Sequence, residues 1–127
     1  PHLAYTMAKF TMSMCVLGMA EELKPDGIAV NGLWPRTAIA TAAVKNILGG
    51  EELMNISRKP EIMADAAYEI FNKNSEDFSG NFCIDDLVLH DAGVKDFSHY
   101  ADVPFDQLAL DFFLPDEIPL PDEIKNS

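Results

Sequence analysis

The sequence predicts an α/β fold built on parallel strands. Two short runs suited to buried strands, Ile28–Trp34 and Asn81–Asp85, lie far apart in the chain. A helix-like segment, Pro60–Phe71, stands between them, and parallel strands require a crossover of this kind. A long apolar stretch over 3–23 precedes both and has the composition of a helix.

The opening helix is rich in Ala, Met, Leu and Lys and stops at Lys24-Pro25-Asp26-Gly27, where proline and glycine turn the chain. Met7, Phe10, Met12, Met14, Val16, Leu17 and Met19 occupy most of its circumference, which predicts burial on all sides. One side would cover a sheet. The other would need missing sequence and a second subunit, so a homo-oligomer through this helix is expected, with the helix under-covered in the chain by itself. Thr6, Lys9, Thr11, Ser13, Glu21 and Glu22 interrupt the run. A membrane span needs ~20 mostly apolar residues, so the segment reads as a buried helix and no membrane span is expected.

Ile28–Trp34 follows. Asn31-Gly32 is a hairpin signal, but it would leave flanking strands too short to hold, so one strand entering a loop at Pro35 is expected. Thr41–Leu48 reads as a short helix closed by Gly49-Gly50, with another turn or two over Glu51–Ser57. In Pro60–Phe71, Pro60 suits the first helical position and Glu61 suits the positive end of the dipole. Ile62, Met63, Ala66, Ala67, Ile70 and Phe71 form one apolar face. Phe78-Ser79-Gly80 leads into the second strand, whose end, Asp85-Asp86, reads as a solvated terminus. From Leu87 to Tyr100 the pattern is weak, with a short helix over 94–100.

Two domains of unequal character result: a body over 1–86 and an acidic, proline-containing C-terminal extension over 87–127. The last 27 residues hold seven acids against one base, Lys125, half of the chain's net charge of −12. Pro104, Pro115, Pro119 and Pro121 oppose helix and central strand there. An extended tail anchored by Phe112, Phe113 and Leu114 is expected.

With 127 residues, 48% of them hydrophobic, a folded core is within reach. So negative a chain is a poor partner for nucleic acid or an anionic membrane. Cys15 and Cys83 lie in apolar runs, as reduced core thiols of an intracellular protein would. No signal-peptide pattern is present, and the abrupt start at Pro1 suggests a missing beginning. His2, His90 and His99 share no metal-ligand spacing and read as surface or turn histidines; no metal is expected.

Tyr5 and Lys9, four apart, share one helix face. A phenol titrates near ~10. A neighbouring ammonium favours the phenolate and lowers that value, which makes the pair a tuned general acid/base.

Taken in order, Tyr5-Thr-Met-Ala-Lys9, Pro25-Asp-Gly-Ile-Ala-Val-Asn31, Pro35 with Thr37 and Thr41, Lys59-Pro-Glu-Ile-Met-Ala-Asp-Ala-Ala67 and Ser79-Gly-Asn-Phe-Cys-Ile-Asp85 resemble the C-terminal half of a short-chain dehydrogenase/reductase. The resemblance covers roughly residues 1–86. Further matches over 12–22, 33–39 and 111–114 point to one branch of that family and take in the tail. The resemblance implies the C-terminal part of a doubly wound, Rossmann-type parallel sheet carrying the extended acidic tail. It implies hydride transfer between NAD or NADP and a carbonyl or secondary alcohol, lipid-derived substrates being compatible with the branch. Tyr5 would be the catalytic acid/base. Lys9 would be both catalytic and cofactor-binding, holding the nicotinamide ribose. Pro35, Thr37 and Thr41 would lie in the segment that contacts the nicotinamide carboxamide.

The family pattern has glycine where this chain has Arg36, and the threonines fall two and six residues after Pro35, so both stay candidates. Arg36 reads as a solvated loop arginine. The family's glycine-rich turn and its catalytic serine and asparagine find no match, so the 127-residue chain alone is expected neither to bind NAD(H) or NADP(H) nor to turn over. The location would be intracellular: cytoplasmic, or mitochondrial or peroxisomal by resemblance. The rival reading is a non-catalytic interaction or lipid-handling module with a degenerate dehydrogenase core.

Overall fold

A computed structural model describes residues 3–127; His2 lies outside them. Helix α1 spans Leu3–Glu22 and ends in a single 3-10 turn, Lys24–Asp26, closed by Gly27 at φ 70°. That left-handed conformation suits glycine, as expected of the Pro25-Asp26-Gly27 stop. Strand β1 is Gly32–Trp34, α2 is Gly50–Asn55, α3 is Glu61–Phe71, and β2 is Phe82–Ile84. Helix α4, Asp85–Asp91, follows β2 without a loop, and α5, Asp122–Lys125, lies near the C-terminus.

β1 and β2 pair in parallel, with Gly32 opposite Phe82, Leu33 opposite Cys83 and Trp34 opposite Ile84. This is the pairing that the two runs and the crossover predict. Both strands are shorter than predicted. Asn31 forms no hairpin. Its side-chain nitrogen donates to the Phe78 carbonyl and its oxygen accepts from the Asn81 backbone and side chain at 2.9–3.0 Å, which ties the two strand entrances together. Gly32 permits close packing: a Cβ there would stand 3.0 Å from the Phe82 ring and 3.6 Å from Val16 of α1.

The core lies between α3, α4 and the C-terminal region. Ile62 and Ala66 of α3 are fully buried against Leu89 of α4 and against Phe97, Tyr100, Phe105, Leu108 and Ile124. The tail is therefore packed, not extended. Pro104 and Pro121 precede short helical turns instead of preventing them, since proline lacks only a donor that a helix start leaves unused. Of the expected anchors, Phe113 does pack against Tyr5, Phe10 and Trp34, and others join it. Phe105, Leu108 and Ile124 are buried, whereas Phe112 is exposed.

Three further expectations are corrected. The Thr41–Leu48 segment is helical, but Val44–Leu48 is wound as a π-helix and α2 follows directly. Helix α4 forms where the pattern was weak, since two acids in its first turn complement the dipole and Leu89 reaches the core. The third is Cys15: no residue of α1 is buried, as expected of a helix under-covered in this chain, because only the side facing β1 and Phe113 is covered. Cys15 on this helix is exposed accordingly, while Cys83 is buried and its thiol is pushed up by desolvation. By length and a mean hydropathy of 1.2, α1 also meets the requirement for a membrane-crossing helix.

Candidate functional site

The first three turns of α1 project Tyr5, Lys9, Met12 and Ser13 into a cavity of about 290 Å³. Its floor is β1 and Pro35, and the tail closes it with Asp111 and Phe113. The four-residue spacing of Tyr5 and Lys9 thus becomes two side chains on one cavity wall. The Lys9 ammonium lies 5.4 Å from the Tyr5 ring centroid, over the ring. Phe113 stacks on the same ring at 5.8 Å and 12°, and meets Phe10 at 5.3 Å and Trp34 at 6.1 Å nearly edge-on.

The electrostatics reverse the sequence argument. The Tyr5 phenol is pushed up, first by burial and then by the Asp111 carboxylate. The ammonium that was expected to lower it is directed to the ring face. Asp111 is also pushed up by burial, opposed by the Phe113 backbone N–H that it accepts at 2.8 Å and by Lys9. At neutral pH this arrangement offers a proton donor, Tyr5, in an aromatic wall.

The structure brings Tyr5, Lys9 and Pro35 together and leaves the two threonines apart from them. Thr37 is fully buried, its hydroxyl donating to the Ala38 carbonyl, and it bridges to Leu110 of the tail. Thr41 is exposed and accepts the Val44 backbone N–H at 3.4 Å. A larger cavity, about 580 Å³, opens at the other end of α1 beside Lys24, Pro25 and Ser79 and holds none of the candidate residues.

Sequence reasoning missed the cluster directly behind Pro35. Arg36 is buried, not solvated, and so are Asp85 and Asp86, which are fully enclosed. Asp86 Oδ2 accepts from Arg36 Nε and Arg58 Nη1, both at 2.7 Å. Asp85 Oδ1 accepts the Arg36 backbone N–H at 2.9 Å and the Asp86 N–H at 2.8 Å. The signal was present: two adjacent acids between the apolar runs 82–84 and 87–89 require partners if the segment is buried.

Asp85 is pushed up to about 6 by burial and by the Asp86 charge, against the Arg36 and Asp86 N–H groups and Arg58. A carboxyl that holds its proton more tightly in the folded than in the unfolded chain stabilises the fold most below the unfolded value of ~3.9. That contribution falls as pH rises and is lost above about 6. We expect urea unfolding to show a decline between pH 4 and 7 of at most about 3 kcal/mol, absent in Asp85→Asn. Asparagine keeps the accepting oxygen without the charge. An identical decline in the variant would assign it to other groups.

Comparison with protein-family models gives no match. Among curated proteins, the chain is 56% identical to hydroxysteroid dehydrogenase-like protein 2 of Bos taurus over 116 residues, which is 91% of this chain and 27% of that protein. It is 58% identical to the Danio rerio protein of that name over 113 residues, 89% of this chain and 26% of the relative. The Homo sapiens protein is 54% identical over 118 residues, covering 93% and 27%. Among solved structures, a short-chain dehydrogenase from Mycobacterium thermoresistibile superposes with a TM-score of 0.75 at 52% identity, over 87% of this chain and 39% of that one. A candidate dehydrogenase from Xanthomonas campestris gives 0.78 at 47%, over 87% and 40%. The chain spans about a quarter of the length of the curated relatives it matches. It is thus similar over most of its length to hydroxysteroid dehydrogenase-like protein 2, and its α/β fold is that of short-chain dehydrogenases.

Proposed function

We propose that the cavity of Tyr5 and Lys9 is the proton-donating part of a nicotinamide-dependent oxidoreductase site, acting between a carbonyl and a secondary alcohol. The observation that carries this reading is the convergence of Tyr5, Lys9 and Pro35 on one cavity beside the C-terminal end of β1. Tyr5 donates its proton to the carbonyl oxygen during reduction and takes it back in the reverse direction. Lys9, its ammonium over the Tyr5 ring, would hold the ribose end of the cofactor. Apolar walls from Met12, Leu33, Trp34 and Phe113 suit a neutral, lipid-derived carbonyl.

Two parts of the cofactor fit differently. The cavity has the polar groups, Lys9 and Ser13, for a nicotinamide riboside. When bound, that group, as NAD or NADP, supplies or accepts the hydride. The pyrophosphate finds no cradle among the described residues. The strand-to-helix junction β2–α4 begins with two fully buried aspartates, which leave no open helix start for a phosphate. The test is cofactor oxidation by the intact polypeptide carrying this chain, given aliphatic and aromatic ketones with NADH and NADPH. Turnover supports the reading, and cofactor binding without turnover overturns it. The apolar lining of Met12, Leu33, Trp34 and Phe113 also suits a second reading, a non-catalytic interaction or lipid-handling module, which predicts that second result.

The same proposal places a second copy of the chain on the outer face of α1. Met7 and Met14, two turns apart, are 61% and 70% exposed. Apolar faces of this kind drive association. The double substitution Met7→Glu with Met14→Glu is expected to convert the oligomer to protomers in light scattering. An unchanged mass would place the contact elsewhere.

A further inference from the structure

We propose that Phe113 is a specificity-determining residue of the Tyr5 cavity, and that Arg36 is the positioning residue that keeps it there. This rests on the reading of the cavity as a dehydrogenase site. Phe113 stacks flat on Tyr5, backed edge-on by Phe10 and Trp34. Phe113 therefore lines the approach to the phenol. Phe113 belongs to the tail, not to the strands or to α1, so its place depends on what holds the tail.

Arg36 holds it at two points. Its carbonyl oxygen accepts the Asp111 backbone N–H at 2.8 Å, and its Nη2 donates to the Pro119 carbonyl at 2.8 Å. One residue thus brackets the segment 111–119 that carries Phe113. The guanidinium is itself fixed by Asp86, and the Arg36 backbone N–H by Asp85. The neighbouring residues continue the seam: Ala38 donates its N–H to the Ala109 carbonyl at 2.7 Å, and Thr37 bridges Leu110. Glycine at position 36, which the family pattern has, could make only the backbone contact. The arginine therefore adds a strap that the backbone alone lacks.

The walls indicate the ligand class. Phe113 and Trp34 offer apolar, flat surface next to the phenol, and the Lys9 ammonium and Asp111 carboxylate on the same cavity offset each other, which leaves no net charge to attract an ionic ligand. A neutral carbonyl compound with a flat or apolar group beside the C=O fits this combination.

The test uses the intact polypeptide with acetophenone and acetone as probe ketones, together with amide hydrogen exchange over 110–119. Phe113→Ala is expected to raise KM for acetophenone about three- to tenfold more than KM for acetone, which removes the preference between the two ketones. Phe113→Tyr, which keeps the stack, restores the preference. Arg36→Gly speeds exchange over 110–119 by about tenfold or more and reproduces the loss of preference. Combined with Phe113→Ala it adds nothing further, since both act through one contact. Where Arg36→Gly does not fold, Arg36→Met serves, because it keeps the apolar stem and has no donor for Asp86 or Pro119. An unchanged acetophenone preference in Phe113→Ala, or unchanged exchange in the Arg36 variants, overturns the inference while leaving the proposed function intact. Failure of the unsubstituted protein to reduce either ketone overturns the proposed function, and this inference with it.

Discussion

Tyr5→Phe in the intact polypeptide lowers kcat by about 10²–10⁴-fold, the usual contribution of a positioned general acid. The substitution removes one hydroxyl and keeps the ring. The contacts that place Tyr5, the stack of Phe113 and the approach of Lys9 over the face, use the ring and persist. Folding and cofactor affinity should therefore hold, and the loss should appear in kcat and kcat/KM alike, as for an interaction made in the transition state. The elevated phenol also fixes the pH dependence. Tyr5 keeps its proton throughout the neutral range, so reduction stays level there and falls only on the alkaline side. Steady-state oxidation of the reduced cofactor measures both. Tyr5→Phe with undiminished kcat would remove Tyr5 from the chemistry.

The largest loss of stability is expected at Asp86. Asp86→Ala should cost about 3–5 kcal/mol in urea or thermal unfolding, because it strands two guanidinium groups in the interior. Arg58 is 1% exposed and already packs over the Phe105 ring at 5.5 Å, so it cannot reach water by a rotamer change. Arg36 keeps its hold on the Pro119 carbonyl but loses the carboxylate that aims it. The exposed pair Lys59–Asp102, 2.7 Å apart, provides the contrast. Breaking it should change nothing measurable, since solvent screens both charges and their ordering cancels the gain. A small effect at Asp86 would mean that the cluster opens to solvent.

Local signals were legible in the sequence. The residues of α1 and α3 form helices because good helix formers or one-turn apolar spacing run unbroken between proline and glycine stops. The runs 28–34 and 81–85 pair in parallel because a helix-bearing crossover lies between them. The spacing of Tyr5 and Lys9 placed them on one face. Each of these depends on residues within a few turns of one another. The tertiary structure alone decided the charges and the coverage. Whether Asp85-Asp86 meets water or two arginines depends on Arg36 and Arg58, which lie far off in the chain and become neighbours only after the strands pair. The direction of the Tyr5 shift depends first on burial and then on Asp111, which the folded tail brings to the cavity. The tail packs because Phe105, Leu108 and Ile124 gain more by joining Ile62 and Leu89 than its prolines and acids lose. α1 stays exposed because apolar residues all round a helix state a demand for partners, and only the surrounding surfaces determine which side is met.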